Sequence, residues 1–364
     1  MTTRCALVGT GHWTASALLP ALRAQTGADV VACVGGTLEE GHNFARKHAI
    51  PNAYSTLDKM LARENLDIAM VATPDHLHAE AVETMIRAGV AVYCEKPLSN
   101  DAPSAHKLVA LQKVHGIPAT VGYSFRFNPA VQALKADLSD GKFGDIWLIE
   151  LAEHNPQFHP HGGKLMNWKG DPSQAAGGAL FEYGSHVIDM GTWLVGPISR
   201  VSSSFKRVLD GARLDDIATL QLNFTCGAQG MLISSWVLSG GFPGTRIKLH
   251  GSKAVGEVLI DDRLPEGQSY FFAPALGPGG SYRKVEAMSH PHTDAAARHV
   301  ASFMASVRGE NESRSTLPTL SQAAHVQDVL EAALLAEDQW QDVANNSNTR
   351  LLAVRKVRNA KRSQ

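Results

Sequence analysis

Short apolar runs alternate with amphipathic stretches along the first third of the chain. The apolar runs predict five strands, at Arg4–Val8, Val30–Val34, Ile68–Ala72, Val90–Cys94 and Pro118–Val121. Positions with a helical period predict helices near residues 13–24, 38–48, 56–64, 78–88 and 101–115. Because strands that are apolar on both faces alternate with helices, the pattern indicates an α/β fold with a parallel sheet covered on both sides.

The pattern changes in the second part of the chain. Within Ala218–Thr225, apolar Leu220, Leu222 and Phe224 alternate with polar residues, which predicts a strand with one buried and one polar face. Similar strands follow at residues 230–237 and 246–250, and an apolar stripe from Val326 to Leu334 predicts a helix. We therefore expect a second domain with a large, open, mostly antiparallel sheet.

Length and charge limit the possible classes of protein. The 364 residues favour two domains, which we place at 1–122 and 123–345, followed by a basic tail at 346–364. With 34 basic and 35 acidic residues, the chain lacks the basic field typical of nucleic-acid or membrane-surface binding. We expect the tail to be a solvated terminus.

The cysteines and the apolar runs predict a cytoplasmic location. Cys5, Cys33, Cys94 and Cys226 form no CxxC pair, and three of them fall in predicted strands, as reduced core residues do. The N-terminus lacks the long apolar region of a signal peptide, and no apolar run is long enough to span a bilayer. We expect a soluble protein that does not bind a membrane.

A glycine-containing turn follows the first predicted strand, at Val8-Gly9-Thr10-Gly11-His12-Trp13-Thr14. The first glycine permits a tight turn, and the second lets N–H groups approach a pyrophosphate at the start of a helix. Thr14 stands where the third glycine of the fingerprint is usual, so the motif alone is also compatible with a tight turn that binds no ligand. Its place between a strand and a helix favours a dinucleotide site.

The end of the second strand bears on the choice between NAD and NADP. No acidic residue follows Val34-Gly35-Gly36-Thr37 until Glu39, although NAD sites usually place an acid there for the ribose. The N–H and O–H donors of this stretch suit a 2′-phosphate, but the nearest basic residue is Arg46. The sequence slightly favours NADP over NAD. Thr73 and Pro74 end the third strand, where they suit a helix cap, the nicotinamide side of the cofactor, or both.

Several motifs in order resemble the Gfo/Idh/MocA family of oxidoreductases. They are Gly9-x-Gly11, Thr73-Pro74-x-x-x-His78, Glu95-Lys96-Pro97, Gly122-Tyr123-x-x-Arg126-Phe127-x-Pro129, Trp168, and the run from Gly177 to Asp189. The resemblance covers nearly the whole chain. It implies an N-terminal Rossmann domain and a C-terminal α/β domain with a large open sheet.

The resemblance also assigns a role to the lysine at the end of the fourth strand. Lys96 would hydrogen-bond the reacting oxygen and stabilise its alkoxide-like charge, with Glu95 positioning it or contacting the cofactor. In relatives the peptide bond before the equivalent of Pro97 is often cis. The residues expected to bind NAD(P) are Gly9, Gly11, His12, Trp13, Gly35, Gly36, Thr37, Thr73, Pro74, His78, Glu95, Lys96 and Arg126.

A second catalytic group is expected at Glu182 and His186, which are four residues apart on a predicted helix. The imidazole would carry the hydroxyl proton, and the carboxylate would support the ring or contact substrate. Relatives generally have aspartate at position 182. Asp189 would pair with His186 or bind a hydroxyl, and Arg126 would contact cofactor phosphate or hold the linker. The residues expected to bind substrate are Lys96, Tyr123, His154, Trp168, Glu182, His186 and Asp189.

The sequence thus predicts an NAD(P)-dependent dehydrogenase or reductase for a secondary alcohol or ketone of a sugar, sugar derivative or cyclitol. The alternatives are a non-carbohydrate substrate, such as a dihydrodiol, and a dinucleotide-binding regulator without activity. Two His-Pro-His stretches, at 159–161 and 290–292, lack a carboxylate or cysteine at ligand spacing, so we expect loop residues and no metal. We expect a homodimer or homotetramer formed through the open sheet.

Overall fold

The computed structural model describes residues 2–162, 168–172, 174–175, 177–238, 244–261, 263–276, 279–310 and 316–343. These residues form two compact units. The first takes the described residues of Met1–Ser124 and Ala295–Ala324, and the second those of Phe125–Asp294 and His325–Gln364. The domain bounds from the sequence stay a prediction, and the tail at 346–364 lies outside the described residues.

A six-stranded parallel sheet forms the centre of the first unit, in the order β3-β2-β1-β4-β5-β6. This is the order of a doubly wound dinucleotide-binding fold, so the predicted fold class is confirmed. The sequence missed only the short, partly exposed strand β3 of this sheet. The strands are β1 Thr3–Val8, β2 Ala28–Val34, β3 Asn52–Tyr54, β4 Ile68–Val71, β5 Ala91–Cys94 and β6 Ala119–Val121.

Local capping interactions set where the helices of this unit begin. The side chains of Thr37, Thr56 and Asp101 accept hydrogen bonds from backbone N–H groups in the first turn of the helix that follows each of them. Helix α5 ends at Gly116, in the left-handed conformation that glycine favours. The helices are α1 Leu19–Arg23, α2 Leu38–Lys47, α3 Leu57–Leu61, α4 His78–Arg87 and α5 Ala102–His115, with a π-helical turn at Thr14–Leu18 and 3₁₀ turns at Asp75–Leu77 and Ser124–Phe127.

The second unit is built on a nine-stranded sheet in the order β14-β13-β12-β11-β7-β10-β9-β8-β15. Among the strand pairs that the structure describes, β7 with β10 is parallel and the others are antiparallel, so the prediction of a large, mostly antiparallel sheet is confirmed. The strands are β7 Ile146–His154, β8 Ile198–Lys206, β9 Ile217–Phe224, β10 Gln229–Ser235, β11 Gly244–Gly251, β12 Ala254–Ile260, β13 Gln268–Pro274, β14 Ser281–Arg283 and β15 Gln341–Asp342.

The remaining helices are α6 Pro129–Ser139, α7 Ser185–Leu194, α8 Pro291–Val307 and α9 Leu320–Leu335. A π-helical turn at Leu180–Gly184 runs directly into α7, and 3₁₀ turns occupy Pro160–Gly162 and Trp168–Gly170. His292, which we expected in a loop, lies in the first turn of α8 because the helix begins at Pro291, a residue that suits an N-terminal helical position. None of the helices described is both long and apolar enough to cross a membrane.

Three of the four thiols belong to the core. Cys5, Cys33 and Cys94 are buried in β1, β2 and β5, whereas Cys226 is exposed. Burial raises the pKa of Cys5 to about 12 and that of Cys33 to about 11. Burial also raises the pKa of Cys94 well above its usual range, and the charges of Glu95 and Asp75 add to this rise.

These environments predict how the native protein reacts with a thiol reagent. We expect one fast equivalent at neutral pH, from Cys226, because a buried thiol is inaccessible and rarely ionised. Dithionitrobenzoate titration with and without denaturant measures this, and Cys226→Ser should remove the fast phase alone. Fast reaction of two or more thiols in the native state would contradict the packing of β1, β2 and β5.

Candidate active site

The glycine turn after β1 has the geometry of a dinucleotide loop. Gly9 has φ +105°, and a Cβ atom there would lie 2.3 Å from the carbonyl oxygen of Ala72, so only glycine fits. A helical run begins after Gly11, whose carbonyl accepts the N–H of Ala15 at 3.2 Å. A Cβ atom at Gly11 would meet nothing within 4 Å, so an anion can approach the backbone at this helix start.

Thr73 supplies a second feature that fits a dinucleotide. It follows β4, and its backbone nitrogen lies beside Gly9. Its hydroxyl is buried and makes no hydrogen bond within the described part of the chain. Buried polar groups normally have partners, so this hydroxyl is available to a bound group. Gly9, Gly11 and Thr73 would hold NAD(P), and exposed His12 follows the same turn.

A capping box forms just after β2, at the start of helix α2. The N–H of Thr37 donates to Glu40 Oε2 at 3.1 Å, and the N–H of Glu40 donates to Thr37 Oγ1 at 3.1 Å. A Cβ atom at Gly36 would lie 2.8 Å from Glu40 Oε2. The carboxylate therefore lies over Gly36 and engages the N–H of Thr37, one of the donors that we expected for a 2′-phosphate.

Lys96 lies just beyond the end of β5, next to Glu95, whose carboxylate is held in place by hydrogen bonds. The indole N–H of Trp13 donates to Glu95 Oε1 at 2.9 Å, and the N–H of Lys96 lies 3.4 Å from Glu95 Oε2. A Cβ atom at Gly122 would lie 2.7 Å from the same oxygen, so a larger residue there would displace the Glu95 carboxylate. The bond between Lys96 and Pro97 is cis, as the resemblance implied.

His78 lies behind this loop. It is 1% exposed, and its ring nitrogens contact the carbonyl oxygens of Thr73 and Pro97. Pro74 precedes the 3₁₀ turn that leads to His78. Within the first unit the structure therefore brings Gly9, Thr73 and the Glu95–Pro97 segment to one edge of the sheet, and His78 supports that edge from inside.

In the second unit, Asp215 fixes the start of the helix that carries Glu182 and His186. Its carboxylate accepts the N–H groups of Gly178 at 3.1 Å and Leu180 at 2.8 Å. Burial raises the pKa of Asp215, and these N–H groups oppose the rise. The sequence analysis missed Asp215, because its partners lie more than 30 residues away and no spacing rule connects them.

Glu182 is paired with a lysine that the sequence analysis did not identify. Lys169 Nζ lies 2.5 Å from Glu182 Oε1, and both side chains are about one fifth exposed, at 21% and 19%. Glu182 stands in the π-helical turn and His186 in the first turn of α7. The pair gives Glu182 a fixed charge partner.

His186 is oriented by an aromatic ring. The ring of Phe125 stacks on the imidazole with a centroid distance of 4.5 Å and an interplanar angle of 16°. The edge of His292 meets the ring of Phe125 at 5.3 Å. This stack restricts the orientation of the imidazole. A fixed ring suits proton transfer, because its nitrogen must point at the reacting oxygen.

Asp189 and Arg126 form a bidentate ion pair in the interior of the second unit. Arg126 Nε and Nη2 lie 2.8 and 2.5 Å from the two carboxylate oxygens, and both side chains are 0% exposed. Arg126 also packs 5.4 Å from the ring centroid of Trp193. Burial raises the pKa of Asp189, and Arg126 opposes the rise. The pairing favours the linker-holding role of Arg126, and the predicted cofactor and hydroxyl contacts stay untested.

For the other residues that we expected to bind substrate, the structure gives burial or the face of a strand. Tyr123 is 1% exposed. Alternation along β7 turns His154 away from the face that meets α7, where Leu151 packs on Gly191. The side chain of Trp168 lies outside what the structure describes. No group of three His, Cys, Asp or Glu residues suited to a metal occurs among the described residues, and the absence of a metal stays a prediction.

Together, the strand order and the glycine turn define a dinucleotide-binding protein. Two family models extend this conclusion. One, an oxidoreductase family with an NAD-binding Rossmann fold, matches residues 3–123, and the other, the GFO/IDH/MocA C-terminal domain, matches residues 131–256. The chain belongs to the GFO/IDH/MocA family of NAD-binding oxidoreductases.

The relatives share little sequence identity with this chain but align with most of its length. Inositol 2-dehydrogenase of Rhizobium meliloti (strain 1021) is 25% identical over 276 residues, which cover 72% of this chain and 78% of the relative. Trans-1,2-dihydrobenzene-1,2-diol dehydrogenase of Sus scrofa is 26% identical over 333 residues, or 89% and 92% of the two chains. The structure of levoglucosan dehydrogenase with NADH and levoglucosan matches with a TM-score of 0.82 at 20% identity, covering 95% and 100%.

The buried pair predicts a large effect on stability. We expect Asp189→Asn to lower the free energy of unfolding by about 3–5 kcal/mol, because Arg126 would keep a buried charge without its partner. The control is Asp342→Asn, which breaks the exposed pair with Arg200, 48% and 80% exposed. That change should cost less than about 1 kcal/mol. Urea unfolding followed by tryptophan fluorescence measures both, and equal effects would contradict the role of the buried pair.

Proposed function

We propose that this protein oxidises a secondary hydroxyl of a sugar, sugar derivative or cyclitol with NAD, or reduces the corresponding ketone. The observation that carries the proposal is the position of Lys96 at the carboxyl end of β5, on the same sheet edge as the Gly9–Gly11 turn and Thr73. Open α/β sheets bind their ligands at this edge. The names of two relatives, an inositol and a levoglucosan dehydrogenase, support the substrate class.

Each catalytic residue has one task. Bound NAD supplies the hydride acceptor at nicotinamide C4. Lys96 donates a hydrogen bond to the reacting oxygen and stabilises the negative charge that develops as the C–H bond breaks. In the oxidation, His186 accepts the proton of the hydroxyl group while the hydride leaves the carbon that bears this group. In the reduction, His186 returns the proton. Glu182 stabilises the protonated ring of His186, and Lys169 keeps Glu182 in place.

NAD is the cofactor that the end of β2 supports best. The sequence alone slightly favoured NADP, because the Gly35–Thr37 stretch offered donors to a 2′-phosphate. The capping box engages Thr37 and places the Glu40 carboxylate over Gly36. A carboxylate repels a phosphate and accepts a hydrogen bond from a ribose hydroxyl.

A second substrate class has separate support. The dihydrodiol dehydrogenase of Sus scrofa aligns over 89% of this chain, more than the 72% that aligns with the inositol dehydrogenase. Both substrates present a secondary hydroxyl, so the roles of Lys96 and His186 are the same for either. A binding regulator without activity has less support, because it needs neither side chain.

The proposal includes self-association and a cytoplasmic location. Alternate residues of β10 are uncovered, and Met231 is 55% exposed on the same face as Gln229. This exposed apolar side chain supports a homodimer or homotetramer formed through this face of the sheet. The free, exposed thiol of Cys226 suits a reducing compartment.

Substitution of the two catalytic residues tests the proposal. Against a panel of sugars, anhydrosugars, inositols and dihydrodiols, we expect Lys96→Ala to lower kcat by roughly 10²–10³-fold. We expect His186→Asn to lower it by roughly 10²–10⁴-fold. The KM for NAD should change little in His186→Asn, because that change leaves the glycine turn and Lys96 in place. Absorbance of the reduced nicotinamide measures both.

Lys113→Ala is the control, since Lys113 is exposed on α5, a helix that carries none of the proposed site residues. Its kcat should equal that of the unsubstituted protein. Turnover that survives in Lys96→Ala would rule out the proposed role of this side chain. Tight NAD binding without turnover on any alcohol or ketone of the panel would favour the regulator.

Glu40→Gln tests the choice of cofactor. Glutamine can keep the capping box while removing the charge. We expect the preference for NAD over NADP, measured as the ratio of kcat/KM values, to fall on the order of tenfold. Glu39→Gln is the matched control, because Glu39 is an exposed acid of the same helical turn. A preference for NADP in the unsubstituted protein, or an equal fall in both variants, would contradict the assignment.

A further inference from the structure

His78 connects the loops that follow β4 and β5. Its Nδ1 atom lies 2.6 Å from the carbonyl oxygen of Pro97, and its Nε2 atom lies 2.9 Å from the carbonyl oxygen of Thr73. A carbonyl oxygen only accepts, and a neutral imidazole carries a single N–H, so the ring donates to Pro97 in its Nδ1–H tautomer and to Thr73 in its Nε2–H tautomer. The ring is 1% exposed, so water does not replace either partner.

The two carbonyls belong to neighbouring strands of the sheet. β4 and β5 are parallel, with Val71 opposite Cys94, so their loops leave the sheet side by side. Thr73 lies two residues beyond β4, and Pro97 lies three residues beyond β5. A hydrogen bond to the Pro97 carbonyl restrains the peptide plane that follows Pro97, one residue beyond Lys96.

Lys96 is therefore restrained from both sides along the chain. On the N-terminal side, Glu95 is bonded to the indole of Trp13 at 2.9 Å. On the C-terminal side, Pro97 is bonded to His78. A long lysine side chain has many conformers, so a fixed backbone reduces the volume that its ammonium group explores.

We infer that His78 is a positioning residue for Lys96 and does not bind the cofactor. Both ring nitrogens face carbonyl oxygens of the protein, so neither is left for a phosphate or a carboxamide. A capping role is also excluded, because a cap accepts N–H groups of its helix and both ring nitrogens of His78 lie against loop carbonyls instead. The inference rests on the proposed function of Lys96.

Asparagine and glutamine separate the two contacts. The amide nitrogen of asparagine is as many bonds from Cα as Nδ1 of histidine, so His78→Asn can donate to Pro97. The amide nitrogen of glutamine corresponds in the same way to Nε2, so His78→Gln can donate to Thr73. His78→Leu makes neither bond and retains an apolar side chain at the buried position.

We expect His78→Asn to keep kcat near that of the unsubstituted protein. His78→Gln and His78→Leu should lower kcat on the order of 10²-fold, the effect of misplacing a catalytic group by about 1 Å. The KM for NAD should stay within about twofold in His78→Gln, which keeps the contact with Thr73, a proposed cofactor residue. An equal loss of kcat in the asparagine and glutamine variants, or a raised KM for NAD with unchanged kcat, would overturn the inference.

Hydrogen exchange provides a readout that does not need turnover. Mass spectrometry of the peptide that covers residues 95–100 should show faster exchange in His78→Gln and His78→Leu, and unchanged exchange in His78→Asn. If the unsubstituted protein is inactive on every substrate, the proposed function fails while this pattern still supports the positioning role. Identical exchange in the asparagine and glutamine variants would contradict it. Should the leucine variant not fold, the other two still decide.

Discussion

The parallel sheet of the first unit limits where polar chemistry can occur. Within β1, β4 and β5 nearly every side chain is buried and the backbone groups bond to neighbouring strands, so a functional group has no place there. At the carboxyl ends the ladder stops. There the chain places Gly9, Thr73 and Lys96, each directly after a strand or within two residues of its end. The position of the lysine is thus a consequence of strand pairing.

The second unit holds its candidate group in a different way. The helix that carries Glu182 and His186 is fixed at its start by Asp215 and within α7 by the buried pair of Asp189 with Arg126. Because Phe125 stacks on His186 and immediately precedes Arg126, the same ion pair also anchors the ring that orients the imidazole. A buried pair is costly to break, so this arrangement favours one conformation.

Local signals in the sequence predicted the two kinds of sheet and the candidate site residues, whereas contacts between residues far apart in the sequence could not be predicted from it. The Gly9–Gly11 turn, Glu95–Lys96–Pro97 and the Glu182/His186 spacing are short motifs, and resemblance to a family assigned their roles. Asp215 and Lys169 have no such signal, because a lone loop residue does not reveal its partner. The sequence slightly favoured NADP because no acid ends β2. The carboxylate of Glu40 accepts the N–H of Thr37 and so lies over Gly36, a position that the sequence does not indicate.

The central claim is that hydride moves between nicotinamide and a carbinol carbon. The most direct test uses NADH with deuterium at both C4 positions, with ketones derived from sugars, inositols and dihydrodiols, and follows the label by mass spectrometry and NMR. We predict that deuterium appears on the carbon that bears the new hydroxyl group, and that Lys96→Ala slows this transfer by roughly 10²–10³-fold. Deuterium that stays on the cofactor with every ketone, while the protein still binds NADH, would contradict the account.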